Sequence, residues 1–344
     1  MTGANDGGEM LRAAYSTIQG AEIARRLAHT HDLGGDVRCV LIRRGFNDVY
    51  AVTAPDGRRY AARLSGPHTR GGVNVDHETA LLDHLKRRGV AVAAPVPLRD
   101  GDLWRHAETA EGPRALVLFD FLEGAPPMTD LGDVALMGQE LAAIHAEAAD
   151  FAGPASRQRL DLDHLVRRPA ASVAAAPHLD QAVRGLFTAA VDETLQRLAP
   201  LAGLTEVACH GDCHGFNTLM ATDAHGARRA AFFDFDDGGP GPLAYDLGVY
   251  LWNILQRLGT RPFEDRHRTV FTAFLDGYRR RAPIPDADLA AIPAYVRARE
   301  IWFLGGYADQ LDYWGSENFA PGWLRERLAA LEAWDAASPF ASAG

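Results

Sequence analysis

Apolar and polar residues alternate in the first third of the chain in a way that predicts a small sheet with flanking helices. Apolar residues at helical spacing predict a helix over 17–29. Short β-patterned runs follow at 37–42, 49–53 and 60–64. The turn sequence Ala-Pro-Asp-Gly joins the second and third runs as a hairpin. A further helix is predicted over 78–85 and a buried strand over 116–121, with loops and short strands between them.

The pattern changes after about residue 121. Short apolar strands are predicted at 207–209, 218–221 and 230–233, and helices at 134–145, 179–198 and over most of the chain from 243 onward. Within that last region we expect breaks at Pro283, Pro285, Pro293 and Pro321. A strand-rich first third before a helix-rich remainder predicts an α+β protein with two lobes, residues 1–120 and 121–344, which meet near 121–127.

Length and composition agree with a folded protein of two lobes. The 344 residues are 47% hydrophobic and 23% charged, which is too apolar for a disordered chain. There is no apolar run of about 18 residues, and the first eight residues are polar rather than typical of a secretory signal. Three cysteines do not make a disulfide framework. We therefore expect a cytoplasmic protein that does not interact with membranes.

The acidic side chains are concentrated in the second part of the chain. Residues 1–120 contain 16 basic and 15 acidic side chains, whereas residues 121–344 contain 19 and 30. This excess argues against a nucleic-acid surface and weakly favours a cationic substrate or partner. An acidic surface that only improves solubility is the more ordinary interpretation.

The most informative segment is the loop His-Gly-Asp-Cys-His-Gly-Phe-Asn at 210–217, which precedes an apolar strand that ends near Asp234. Asp212 is followed five residues later by Asn217 and then by Asp234 at the end of the next strand. This is the spacing of a phosphoryl-transfer site, in which the first Asp accepts a hydroxyl proton while the Asn and the second Asp hold Mg²⁺.

The same loop allows three other interpretations. Asp212 and Asn217 are residue types that commonly cap turns. Four side chains of the loop region are potential zinc ligands, Cys209, His210, Cys213 and His214, but structural zinc sites usually draw ligand pairs from separate segments. A nucleophilic cysteine paired with a histidine is also disfavoured, because no orienting Asn or Asp follows in the usual pattern.

The order of these motifs resembles the aminoglycoside phosphotransferase and choline kinase superfamily, which has the protein-kinase-like fold. Within it, the loop at 210–217 and the Asp-Phe-Asp-Asp run from Asp234 look most like the stress response kinase A and type II homoserine kinase branches. The resemblance implies that Asp212 is the catalytic Asp, that Asn217 and Asp234 are catalytic metal ligands, and that the cofactors are ATP and Mg²⁺. It also implies that Asp246 braces the catalytic loop, although a helix N-cap is an alternative.

Two further carboxylates follow Asp234. Strand alternation would place Asp234 and Asp236 on one side and Asp237 on the other. We therefore expect Asp236 to support the metal site and Asp237 to be structural.

The resemblance also implies nucleotide-binding residues in the first lobe. A basic residue on the third strand should pair with an acid on the following helix, and Arg63 and Glu78 occupy those places. Lys86 is the only lysine and cannot fill the strand position, so Arg63 would have to contact the phosphates. Asn47 lies in a turn that would cover the phosphates or form a plain hairpin. Adenine would contact the connection that contains Phe119 and Phe121, unless these rings are simple core.

The acceptor is less well defined. A small-molecule hydroxyl compound such as an amino sugar, a homoserine-like or a choline-like alcohol is our first expectation. A protein Ser/Thr kinase and a catalytically silent nucleotide-binding module are the alternatives. An aromatic and acidic cluster near the C-terminus would cage a cationic substrate or belong to the core, and its members are Trp302, Phe303, Tyr307, Asp309, Asp312, Tyr313, Trp314 and Glu317.

Overall fold

The computed structural model describes residues 11–67, 73–222, 226–258 and 265–336. The polar N-terminal segment used above to argue against a secretory signal lies outside the described residues. Among the described helices, none combines the length and the apolar character needed to cross a membrane.

The first lobe is built on an antiparallel sheet of five strands in the order β1-β2-β3-β5-β4. The strands are β1 (Arg38–Arg44), β2 (Asn47–Thr53), β3 (Arg59–Ser65), β4 (Arg105–Thr109) and β5 (Gly112–Asp120). Buried and partly exposed residues alternate strictly along β2, which is why this run is recognisable from its sequence. The hairpin between β2 and β3 turns at Gly57, whose φ of +87° suits glycine.

Two helices cover the sheet. Helix α1 (Gly20–Thr30) buries Ile23 and Leu27 in a small core with β2 and β3. Helix α2 (Val75–Arg87) packs instead into the large core that continues into the second lobe. The first lobe therefore contributes to two cores, and the proposed boundary between lobes at residue 120 stays a prediction.

The second lobe combines two small hairpin sheets with a set of helices. The sheets pair β6 (Glu206–Cys209) with β9 (Gly239–Pro242) and β7 (Thr218–Thr222) with β8 (Arg228–Phe232). The helices are α3 (Leu131–Glu147), α4 (Arg168–Ala175), α5 (Gln181–Leu198), α6 (Leu243–Leu258), α7 (Asp265–Arg279), α8 (Asp286–Ala308), α9 (Leu311–Trp314) and α10 (Pro321–Ala336). This architecture confirms the predicted α+β fold.

The predicted break at Pro293 is wrong. Pro293 was expected to break the chain but lies inside helix α8. Proline removes one helical hydrogen bond, yet Ile292 and Ala294 beside it are buried, so packing keeps the helix continuous. Pro285 and Pro321 do mark boundaries, since α8 begins directly after the first and α10 begins at the second.

The sequence pattern did not predict a π-helical turn at Asp163–Arg167, which leads directly into α4. Helix α4 packs against α8, as do α5 and α6. An isolated bridge between backbone groups joins Val92 of the first lobe to Phe232 of the second, and another ties Ala125, near the boundary between the lobes, to Met220. These contacts place the turn after β8 directly beside the sheet of the first lobe.

Candidate active site

The loop 210–217 joins β6 to β7 and is held by Asp246 in the first turn of α6. The Asp246 carboxylate accepts hydrogen bonds from the backbone N–H groups of His210 at 2.7 Å and Gly211 at 2.9 Å. Nε2 of His145 lies 3.0 Å from the same carboxylate. Burial opposes ionisation, but the bond to His145 and the charges around it hold the pKa of Asp246 below its usual value. These contacts confirm that Asp246 braces the loop.

The buried cysteines and His210 of the loop region form hydrogen bonds with backbone groups of the protein. The thiols of Cys209 and Cys213 donate to backbone carbonyl oxygens at 3.5 and 2.9 Å. Both ring nitrogens of the buried His210 lie within 3.2 Å of backbone groups. Burial raises the pKa of both thiols, which makes them poor nucleophiles. The contacts favour a structural role for these side chains over a zinc site or a nucleophile.

Asp212 has partners on both carboxylate oxygens. Oδ1 accepts a hydrogen bond from Nη2 of Arg299, and Oδ2 accepts one from Nδ2 of Asn217 at 2.9 Å. Nε2 of His214 lies 3.4 Å from Oδ2. Burial would raise the pKa of Asp212, but Arg299, His214 and His210 hold it well below its usual value. The side chain is 18% exposed and faces a cavity, so an ionised acceptor is available there.

Asn217 and Asp234 line the same cavity as Asp212. Nδ2 of Asn217 donates to the backbone oxygen and the carboxylate of Asp212, and among the described residues Oδ1 accepts no hydrogen bond. Asp234 has a φ of +68°, a left-handed conformation that costs free energy for a residue other than glycine. Such backbone strain is most often found at functional sites.

The three carboxylates after β8 are arranged differently from the prediction. Strand β8 ends at Phe232, and the chain turns at Asp234, so strand alternation does not continue. Asp237 was expected on the opposite side but lines the cavity together with Asp234 and Asp236. Burial and the charge of Asp236 raise the pKa of Asp234 well above its usual value, with Arg63 acting in the opposite sense.

This cluster fits a divalent cation. Accumulated negative charge at Asp234 is relieved by a cation, and carboxylate and amide oxygens are the hard ligands that Mg²⁺ prefers. The described residues hold no group of three or more His, Cys, Asp or Glu side chains arranged for a metal ion. Binding would therefore rely on Asn217 and Asp234 together with oxygens of a bound nucleotide.

Arg63 on β3 and Glu78 on α2 form the predicted pair. Nη1 of Arg63 donates to Oε1 of Glu78 at 2.7 Å, and Nη2 donates to Oε2. The two side chains are 5% and 0% exposed. Nη1 also lies 3.5 Å from Oδ1 of Asp234. Burial opposes the charge of Arg63, but Glu78, Asp236 and Asp234 hold its pKa above the usual value. The predicted contact with phosphate stays a prediction.

Asn47 ties the turn between β1 and β2 to the carboxylate cluster. Its Nδ2 donates to Oδ2 of Asp236 at 2.7 Å, and its Oδ1 accepts from the backbone N–H of Gly66 at 3.1 Å. Both ends of the amide are used, so in this structure Asn47 holds the turn in place. The neighbouring Phe46 projects into the wall of the cavity that contains Asp212.

A second cavity of about 240 Å³ lies beside the first and is mostly apolar. It is lined by Phe119, Phe121 and residues of β1–β3, and it shares Asp234 with the first cavity. The predicted adenine contacts therefore surround an apolar space next to the carboxylates. The flat, apolar face of a purine would fit this space.

The aromatic cluster near the C-terminus is divided between several places. Trp302, Phe303 and Tyr307 line the cavity of Asp212. Asp309 lines a different cavity. Tyr313, Trp314, Asp312 and Glu317 are not among the residues that line the first cavity.

Two residues of the site were missed by sequence reasoning, Trp252 on α6 and Arg299 on α8. The Arg299 guanidinium lies 4.9 Å from the ring centre of Trp252 and 4.2 Å from that of Trp302. The cation in this aromatic cage is thus a side chain of the protein itself. No sequence motif marks either residue.

Comparison with known proteins identifies the family of the chain. The family model described as the phosphotransferase enzyme family matches residues 39–284. The chain is 30% identical over 303 residues to a homoserine kinase of Cupriavidus metallidurans, covering 85% of this chain and 87% of that protein.

Solved structures with the same fold include two small-molecule kinases. Amicoumacin kinase hAmiN, in complex with AMP-PNP, Ca²⁺ and Ami, aligns with a TM-score of 0.74 and 18% identity, covering 93% of this chain and 95% of that one. A microcompartment-associated aminopropanol kinase aligns with a TM-score of 0.72 and 22% identity, covering 92% and 97%. The protein-kinase-like architecture is thereby confirmed.

Proposed function

Because this chain belongs to the phosphotransferase enzyme family, we propose that it is an ATP- and Mg²⁺-dependent kinase that phosphorylates a hydroxyl group of a small molecule. The observation that carries the proposal is the convergence of Asp212, Asn217 and Asp234 on one cavity, directly beside a mostly apolar pocket. The nucleotide in the related amicoumacin kinase structure supports ATP as the donor.

Asp212 is the residue that handles the acceptor. Its ionised carboxylate orients the hydroxyl group and receives the proton as the acceptor oxygen bonds to the γ-phosphorus and the bond to the leaving ADP oxygen breaks. Asn217 and Asp234 would hold Mg²⁺, which supplies neutralising charge on the phosphates when bound. Arg63 lies between Glu78 and Asp234 and would add positive charge on the nucleotide side. Most of the rate enhancement then comes from positioning and electrostatics.

We propose a small amino alcohol of the homoserine or aminopropanol type as the acceptor. The relative that is 30% identical is a homoserine kinase, and a neighbour in fold is an aminopropanol kinase. The cavity around Asp212 measures about 240 Å³ and is walled by aromatic rings, which fits a compact molecule better than a protein segment. Asp237 on the cavity wall offers a carboxylate to the ammonium group.

The test is a screen for acceptor-stimulated ADP release with MgATP. Homoserine, aminopropanol, ethanolamine, choline and an aminoglycoside are compared, and Asp212→Asn is the inactive control. We expect the small amino alcohols to stimulate release in the wild type only. Stimulation by none of the compounds, with phosphate from labelled ATP appearing on protein instead, would favour a protein kinase. Absence of any transfer or ADP release would favour a silent nucleotide-binding module.

A further inference from the structure

Arg299 is the one charged side chain from α8 on the wall of the cavity that contains Asp212, as far as the described residues show. Its Nη2 donates to Oδ1 of Asp212, and its Nη1 donates to the backbone oxygen of Gly211 at 3.2 Å. The hydroxyl oxygen of Tyr245 lies 3.5 Å from Nη1. One guanidinium thus contacts both the backbone and the side chain of the catalytic loop.

The guanidinium is itself held by two aromatic rings. Trp252 and Trp302 lie at 4.9 and 4.2 Å, and each indole is anchored by a hydrogen bond. Nε1 of Trp252 donates to Glu300 at 2.7 Å, and Nε1 of Trp302 donates to His164 at 3.4 Å. A planar cation in contact with two anchored rings has little freedom to rotate, and its fork matches a carboxylate in a way that an ammonium group does not.

The opposite side of the Asp212 carboxylate is fixed by Asn217 at 2.9 Å. With Arg299 on one oxygen and Asn217 on the other, the plane of the carboxylate is defined from two elements that are distant in sequence. We propose that Arg299 is a positioning residue of the phosphoryl transfer, which aims the Asp212 carboxylate at the acceptor hydroxyl without contacting the acceptor. This inference rests on the proposed function of Asp212.

A positioning role predicts a change in kcat with little change in KM. Arg299→Ala should lower kcat about 100-fold, the usual cost of misplacing a reacting group by about 1 Å. KM for MgATP and for the acceptor should stay within a few-fold of the wild type. The variant leaves a gap beside Trp252 and Trp302 where the guanidinium lay, so millimolar guanidinium should restore part of the lost kcat, whereas sodium chloride of the same ionic strength should not. Arg299→Lys should have an intermediate kcat.

Arg297 provides the matched control. It lies on the same helix, is 1% exposed, and bonds Thr194 at 3.2 Å and Glu193 at 2.9 Å on α5 instead of the catalytic loop. Arg297→Ala should lose stability, yet its folded fraction should keep the wild-type kcat and show no rescue by guanidinium. The same loss and rescue in both variants would reduce Arg299 to a packing role and overturn the proposal.

Asp212→Asn separates the two proposals. If it leaves ADP release unchanged, the proposed function itself fails. If it lowers ADP release while Arg299→Ala keeps the wild-type kcat, only the role of Arg299 fails. The proposal is also overturned if Arg299→Ala folds and loses kcat, guanidinium restores none of it, and Arg299→Lys has a kcat as low as that of Arg299→Ala. Should Arg299→Ala not fold, Arg299→Lys decides, since a wild-type kcat there contradicts the need for a planar fork.

Discussion

Two arginine–carboxylate pairs flank the cleft, and they differ in how far the carboxylate is exposed. In the first lobe Arg63 and Glu78 are 5% and 0% exposed and satisfy each other with two hydrogen bonds. In the second lobe Arg299 is 4% exposed, but its partner Asp212 is 18% exposed and faces the cavity. The first pair has the geometry of a structural link, whereas the second leaves part of a carboxylate accessible for chemistry.

Neutralising the carboxylate of the second pair should give the largest effect on catalysis. Asp212→Asn keeps the shape of the side chain and leaves the contacts of Arg299 with Trp252 and Trp302 in place. We expect kcat to fall by about 10³-fold or more because the proton acceptor is lost. MgATP affinity, measured by calorimetry, should stay within a few-fold of the wild type. Turnover close to that of the wild type would contradict the role of Asp212.

The same change in the first pair should act mainly on stability. Glu78→Gln removes the nearest counter-charge of the buried Arg63 and leaves the more distant Asp234, which we expect to cost about 3 kcal/mol of unfolding free energy. Urea denaturation measures this loss. The control is Glu206→Gln, which removes the exposed pair with Arg159, where both side chains are 55% exposed. An equal loss in the two variants would remove the distinction between a buried and a surface pair.

The two pairs also differ in how far the sequence reveals them. Arg63 and Glu78 were identified through the family resemblance, which expects a basic residue on the third strand and an acid on the helix that follows it in the chain. Asp212, Asn217 and Asp234 lie within one loop–hairpin segment, so their proximity is encoded locally. Arg299 comes from a helix nearly 90 positions later in the chain, and only packing brings it to the loop.

Helix α8 explains why Arg299 was not found. Arg297, Arg299 and Glu300 are residue types that are usually exposed on a helix, but all three are buried. Each charge finds a partner on a different element, and a single sequence does not contain those pairings. The position of Asp237 was missed for a different reason, since the left-handed turn at Asp234 ends the strand alternation on which that prediction depended.

Asp234 connects the two pairs, because it lies 3.5 Å from Arg63 and lines the cavity of Asp212. Asp234→Asn removes charge next to Asp236 and keeps a residue type that tolerates a positive φ. We therefore expect equal or greater thermal stability together with MgATP affinity weakened at least about 10-fold, because a metal ligand is lost. Calorimetric titration with and without Mg²⁺ measures the second effect. Unchanged MgATP affinity would count against Asp234 as a ligand.

The smallest expected effect concerns the turn between β1 and β2, which belongs to the first lobe and contacts the second. Phe46 packs edge-on against Trp314 at 5.4 Å and Tyr307 at 6.2 Å between ring centres. The hydroxyl group of Tyr313 donates to the backbone oxygen of Gly45 at 3.3 Å. The turn of the first lobe is thus attached to the helices of the second lobe, and Phe46 lines the cavity that contains Asp212.

Phe46→Ala should raise the acceptor KM about 2- to 10-fold, which corresponds to the roughly 0.5–1.5 kcal/mol of an aromatic pair. The kcat should change little, because the hydrogen bonds that Asp212 accepts from Arg299 and Asn217 do not involve this ring. Steady-state kinetics with the acceptor varied at saturating MgATP measures the effect, and Leu186→Ala, an exposed position on α5, is the control. An acceptor KM equal to the wild-type value would show that the wall at Phe46 does not contribute to acceptor binding. The effects expected in the cleft would then come from the two arginine–carboxylate pairs and not from Phe46.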